Sequence, residues 1–195
     1  DPGDRAALDR ICEDAAASGG ATERRDEGTA LHAAIERSIL GQPVPSLFAA
    51  DVRAFQQCLR DHGLTVDAEH SEVMVVWDEP KIAGRFDLAV SDRSNVLYIA
   101  DIKTGASLEW SGGSFSTQLA IYANSDSIYQ QGDASDGSQD SRGPMPPVNG
   151  TTAFIFHVQP GSGVCRLAEV DIQYGRELVD LNLQVREAQI GRAHV

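Results

Sequence analysis

The runs GRFDLAV at 84–90 and VLYIADIKTG at 96–105, joined by SDRSN at 91–95, decide the fold. Both runs are rich in aliphatic and aromatic residues, and the connection consists of turn formers, so they predict a β-hairpin. Side chains alternate along a strand. In the first run Ala83, Arg85, Asp87 and Ala89 are expected on one face, with Ile82, Phe86, Leu88 and Val90 on the other. In the second, Leu97, Ile99, Asp101 and Lys103 point one way and Val96, Tyr98, Ala100 and Ile102 the other. Two apolar flanks read as a strand buried on both sides until it reaches its polar end. The hairpin then sets Asp87 beside Asp101, with Lys103 emerging on the same face as Asp101.

Clustered carboxylates repel each other, and a hard divalent cation such as Mg2+ or Mn2+ relieves that repulsion. Such a cation polarises a phosphoryl oxygen and lowers the pKa of a bound water, while Lys103 is placed to stabilise developing charge or orient the nucleophile. A surface carboxylate beside an ion-paired lysine is the better reading of the triplet alone, so the surrounding pattern has to carry the metal reading. Upstream, GTALHAAIERSILG (28–41) predicts a helix with Leu31, Ala34, Ile35 and Ile39 as its apolar stripe and Gly41 as its C-cap. His32 and Glu36 fall one turn apart beside that stripe, where an imidazole can complete a metal shell. Downstream, SFSTQLAIYANS predicts a helix capped by Ser116, with Gln118 and Tyr122 again one turn apart. An amide and a phenol so paired suit a phosphate and a nucleic-acid end.

In order, His32, Gly84-x-x-Asp87, Asp101-Ile102-Lys103-Thr104-Gly105 and Gln118-x-x-x-Tyr122 resemble the RecB-like branch of the PD-(D/E)XK nuclease superfamily, over about residues 28 to 175. The resemblance implies a restriction-endonuclease-like α/β core with a central mixed sheet flanked by helices. It implies His32, Asp87 and Asp101 as side-chain metal ligands, the backbone carbonyl of Ile102 as a further ligand, and Lys103 as the catalytic lysine. Catalysis then rests on Asp87, Asp101 and Lys103, and Gln118 and Tyr122 form the element that contacts DNA. Glu72, where relatives often carry an acidic residue, is given a supporting part, as are Glu36, Arg85 and Thr104.

The chain of 195 residues, 42% hydrophobic, suits a single domain over 1–189. Helices are expected over 5–17, 28–41, 47–62, 116–124 and 175–189, three strands over 72–103, and two over 151–172 joined by PGSG. Helix 47–62 is expected to begin at a capping serine and to pack through Leu47, Val52, Phe55 and Leu59. Residues 125–149, crowded with Ser, Gly, Asp, Gln and Pro, read as a mobile loop, and 190–195 as a non-native tail.

A net charge of −13 excludes a broad basic DNA-binding surface and leaves a local grip by Lys81, Arg85 and Lys103. The expected partner is therefore linear DNA with free ends, with a helicase or recombination partner supplying further affinity. Cys12, Cys58 and Cys165 are widely spaced and form no CxxC pair, so no disulfide framework or zinc site is expected. Some proteins of the resembled branch hold an iron–sulfur cluster with three cysteines after the nuclease motifs; these are not visible here, so no cluster is expected within this chain. No run is long and apolar enough to span a membrane, and a bacterial or phage-infected cytoplasm fits. The implied activity is a Mg2+- or Mn2+-dependent exonuclease acting in recombination, repair or phage DNA processing. An endonuclease of the same fold and a non-catalytic DNA-end-binding protein are the alternatives.

Overall fold

The computed structural model describes residues 21–109, 111–130 and 140–192. The helix expected over 5–17, Cys12, the middle of the 125–149 loop and residues 193–195 of the expected tail lie outside them.

The first helix, α1 (Ala21–Ile39), starts ahead of its expected position and buries Leu31, Ala34 and Ile35 on one stripe. Gly41, at φ 67°, closes it, with the Gly41 and Gln42 N–H groups returning to the Ser38 and Arg37 carbonyls as a glycine C-cap requires. A 3-10 turn (Ser46–Phe48) leads into α2 (Ala49–His62), which ends at Gly63 in the left-handed conformation. Here two expectations fail. Ser46 makes no capping bond, and Leu47 is 75% exposed while Phe48 is buried. The tighter winding of the 3-10 turn rotates the chain by an extra increment per residue, which turns Phe48 inward in place of Leu47.

Among the described residues nine strands follow: β1 (Thr65–Asp67), β2 (Val73–Trp77), β3 (Ile82–Phe86), β4 (Leu88–Ser91), β5 (Leu97–Lys103), β6 (Ser127–Gln130), β7 (Ser141–Pro144), β8 (Thr152–Val158) and β9 (Cys165–Asp171). They form a five-stranded mixed sheet, β1-β4-β5-β8-β9, in which only β5 and β8 run parallel, and a four-stranded antiparallel sheet, β3-β2-β6-β7. The protein is thus α/β, with a mixed sheet flanked by helices. Its faces match the expected alternation of β5. Ala100 and Ile102 pack with α1 and α2, while Ile99 joins the core beneath α3 (Gly112–Ala123) and α4 (Ile172–Arg192).

The run through GRFDLAV is not one strand. It bends at Asp87, with β3 pairing β2 in one sheet and β4 pairing β1 and β5 in the other. The bend resets the alternation, so Ala83 and Arg85 are exposed while Ala89 is buried. Residues 125–149 are not a continuous loop either, since they contribute β6 and β7. Ile128 and Ser127 are buried there, and a short ladder at a sheet's edge needs few apolar residues to form.

α3 begins at Gly112, four residues before the expected cap, and Ser116 lies buried within it. A Cβ on Gly175 would stand 2.0 Å from the Ser116 carbonyl oxygen, so the crossing of α3 and α4 depends on glycine there. Packing against α4 overrides the poor helix propensity of Gly112 and Gly113. α4 itself starts earlier than expected, because Asp171 Oδ1 accepts the N–H groups of Gln173 and Tyr174 as an N-cap, and it continues through residue 192. At the opposite end of the mixed sheet the expected β8–β9 hairpin is present, and Asp51 of α2 is fully buried beneath its turn. The Asp51 carboxylate accepts the N–H groups of Gly161 (2.8 Å) and Gly163 (2.7 Å).

Candidate metal centre

The β4–β5 register pairs Leu88 with Ala100, so Asp87, one step earlier in the bend, arrives beside the Asp101–Ile102 segment. Its Oδ2 accepts the Ile102 N–H at 2.8 Å. The bend thereby replaces a strand carbonyl with a carboxylate at this point of the ladder. Ile102 buries its side chain toward α1 and α2 and stands in register with Phe156 of β8.

α1 brings His32 to the same carboxylate, with Nε2 2.8 Å from Asp87 Oδ2 and Nδ1 3.8 Å from Glu72 Oε1. The hydrogen bond to Asp87 raises the His32 pKa above its usual value and outweighs burial. Burial pushes Asp87 upward, but the His32 bond and charge and the Ile102 N–H leave it below the usual carboxylate range. The partners of His32 are therefore Asp87 and Glu72, whereas Glu36, expected on the same helix face, lines the adjoining cavity.

Glu72 has φ 57°, a left-handed conformation uncommon for a residue with a side chain. Its N–H donates to the Asp87 carbonyl (3.0 Å), and Arg85 holds it twice, through Nη2 to Glu72 Oε2 (2.7 Å) and Nε to the Glu72 carbonyl (3.1 Å). Strain of this kind persists where surrounding contacts over-determine it. Burial raises the Glu72 pKa despite Arg85. His32, Glu72 and Asp87 each offer a ligand atom, and these atoms lie within 4.8 Å of one another. Sequence reasoning had given Glu72 a supporting part, since nothing in the letters shows a backbone turned left-handed.

Asp101 stands apart from that group. It is 2% exposed, and its Oδ2 lies 2.6 Å from Lys103 Nζ without the alignment of a hydrogen bond. Among the described residues this is a buried carboxylate oxygen with no hydrogen-bond partner. Burial and the nearby Asp87 charge push its pKa up to about 6. Lys103 Nζ also lies 3.4 Å from Gln118 Oε1 and 5.4 Å from the Phe115 ring centroid, and Gln118 Nε2 donates to Tyr122 Oη at 2.9 Å. Tyr122, 8% exposed, crosses Gly84, where a Cβ would stand 2.5 Å from the ring. The glycine of Gly84-x-x-Asp87 thus admits the tyrosine of Gln118-x-x-x-Tyr122.

Beside the centre lies a cavity of about 900 Å³, lined by His32, Glu36, Glu72, Arg85, Thr104 and Gly105 among others. Thr104 packs so closely on α1 that a Cβ at Gly28 would meet its Oγ1 at 2.5 Å. Lys81, expected near the site, sits in the turn at the far end of β3 from Asp87 and does not line this cavity.

The donor set of carboxylates and one imidazole fits a hard divalent cation, and the buried Asp101 oxygen has Lys103 as an ion-pair partner but no aligned hydrogen bond. The expected ligand set is split: His32 and Asp87 gather with Glu72, while Asp101 turns toward Lys103. An α/β fold with an acidic, histidine- and lysine-bearing centre at a strand end is the class these residues define. Comparison with models of known protein families finds no match, and comparison with curated proteins finds none that is significant. No helix among the described residues is long and apolar enough to cross a membrane.

Proposed function

We propose that this chain is a Mg2+- or Mn2+-dependent DNA nuclease, an exonuclease of RecB-like type built on a PD-(D/E)XK core. The observation that carries the reading is the convergence of Asp87, Asp101 and Lys103 at one strand end, with His32 on Asp87 and one buried Asp101 oxygen ion-paired to Lys103 without an aligned hydrogen bond. Two carboxylates buried so close together repel each other even with Lys103 on Asp101 and His32 on Asp87, and a bound cation would relieve that repulsion further. His32, Glu72 and Asp87, with Asp101 beside them, would hold the cation. When bound, it supplies Lewis-acid polarisation of a phosphoryl oxygen and a water of lowered pKa. Lys103, fixed beside Asp101, orients the attacking water and stabilises charge developing on the phosphate. The adjoining cavity receives the nucleotide, with Arg85 at its rim to meet a phosphate oxygen.

The chain's acidity limits the electrostatic grip on long duplexes, which supports a substrate held by its end and a helicase or recombination partner that adds affinity. The test is degradation of end-labelled linear and closed circular DNA, single- and double-stranded, with Mg2+, Mn2+ or EDTA, comparing the wild type with Asp101→Asn. Metal-dependent loss of linear DNA alone, absent in the variant, is the expected result. Cutting of circles moves the assignment to an endonuclease. DNA binding without cleavage under every metal condition overturns it in favour of a DNA-end-binding protein.

A further inference from the structure

Lys103 is held in an unusually complete setting. A carboxylate oxygen (2.6 Å), an amide oxygen (3.4 Å) and an aromatic ring (5.4 Å to its centroid) surround an ammonium that can only donate. A glutamine amide can present either its oxygen or its NH2, and the NH2 would repel the ammonium. The Gln118 NH2 is engaged by Tyr122 Oη, which leaves the oxygen facing Lys103. Tyr122 is in turn fixed by its place across Gly84, where any larger residue would collide with the ring. Tyr122 is buried to 8% exposure and Gln118 is half-buried at the edge of a cavity, and the functional groups of the two are turned on each other.

We infer that Gln118 and Tyr122 are positioning residues for Lys103, a relay that sets the ammonium beside Asp101, and not a DNA-contacting surface. The inference rests on the nuclease reading for its kinetic consequence, but the relay itself is a property of the folded chain. The two roles predict opposite orders for two substitutions. Gln118→Leu removes the acceptor from Lys103. Gln118→Glu restores an acceptor while adding a negative charge that a DNA contact would not tolerate.

For positioning, Gln118→Leu lowers kcat by about 10- to 100-fold, the size expected when a hydrogen bond to a charged group is lost. DNA affinity measured by anisotropy in EDTA stays unchanged, Gln118→Glu recovers most of kcat, and Tyr122→Phe falls between them. A rise in Kd with kcat preserved, and Gln118→Glu worse than Gln118→Leu, overturns the inference. A second readout needs no cleavage. The chain contains two lysines, Lys81 and Lys103, and Lys81 is exposed. Labelling with an amine-reactive ester, read by peptide mass spectrometry, is expected to accelerate at Lys103 relative to Lys81 in Gln118→Leu and Tyr122→Phe. If the wild type cuts no DNA, the nuclease reading falls and labelling alone decides the relay: an unchanged Lys103 to Lys81 ratio overturns it.

Discussion

Asp51 and Asp101 are both buried, at 0% and 2% exposure, in opposite circumstances. Asp51, under the β8–β9 turn, receives one glycine N–H on each oxygen. Asp101, at the end of β5, lies near the Asp87 charge and meets Lys103 Nζ at 2.6 Å without an aligned hydrogen bond. A buried carboxylate with both oxygens hydrogen-bonded holds two elements together, whereas one ion-paired to a lysine beside a second carboxylate still has room for a further cation. On the proposed reading the same residue type serves the scaffold in one place and the chemistry in the other.

The sharpest way to break this contrast is Asp101→Asn. Cleavage is expected to fall on the order of 1,000-fold or more, as when a group needed in the transition state is removed. Measured in EDTA at pH 8, the same variant should be more stable than the wild type, a combination a purely structural aspartate cannot give. Asp51→Ala should do the reverse. It leaves two glycine N–H groups without their carboxylate and is expected to cost about 3 kcal/mol in urea unfolding, with cleavage per folded molecule unchanged. Equal loss of both properties in either variant would erase the distinction.

The pH dependence separates the two further. Asp101 has a folded pKa of about 6, above the 3.8 of an unperturbed aspartate, so the native state binds more protons between those values. Its contribution makes the metal-free protein less stable as pH rises from about 4 to 6, and the loss persists above that. At 1.36 kcal/mol per pKa unit, the stability difference between wild type and Asp101→Asn should shift by about 3 kcal/mol over this range. The wild-type curve alone would mix in His32, whose raised pKa gives stability that is present below its unfolded value and lost as pH rises through the folded one. Subtracting an Asp101→Asn curve isolates the aspartate if the two groups titrate independently, and a flat difference would show that burial and the Asp87 charge do not raise the Asp101 pKa.

The smallest effect concerns Glu72. In the metal-free protein Glu72→Gly should change stability by less than about 1 kcal/mol, because release of the left-handed backbone offsets the exposed Arg85 pair. Glu72→Ala keeps the strain and should be the less stable of the two. Both should weaken Mn2+ binding in calorimetric titration by about tenfold, whereas unaltered affinity would remove Glu72 from the ligand set.

Much of this was legible beforehand. The alternation of β5, the β4–β5 and β8–β9 hairpins, the His32 stripe and the nearness of Asp87 to Asp101 all follow from local periodicity and turn chemistry. What was not legible depends on neighbours distant in sequence. The bend at Asp87 arises because β3 and β4 belong to different sheets, which no period-2 pattern reveals. Strands β6 and β7 hide in a polar stretch because their pairing partners supply the order. Gly28, Gly84 and Gly175 are small because Thr104, Tyr122 and Ser116 approach them, and Asp51 reads as a surface helix residue until the hairpin lands on it.

The bend at Asp87 also bears on the order in which the molecule assembles. Bonds that build the centre span short stretches of chain, 15 residues from Asp87 to Ile102 and 15 from Lys103 to Gln118. Short loops close quickly, so the strand ends and α3 are expected to come together early, and His32, carried on a helix from much further up the chain, to dock afterwards. Stopped-flow refolding should then show destabilising changes at Ala100 slowing folding and changes at Leu31 chiefly speeding unfolding, and the reverse pattern would place the histidine helix in the nucleus.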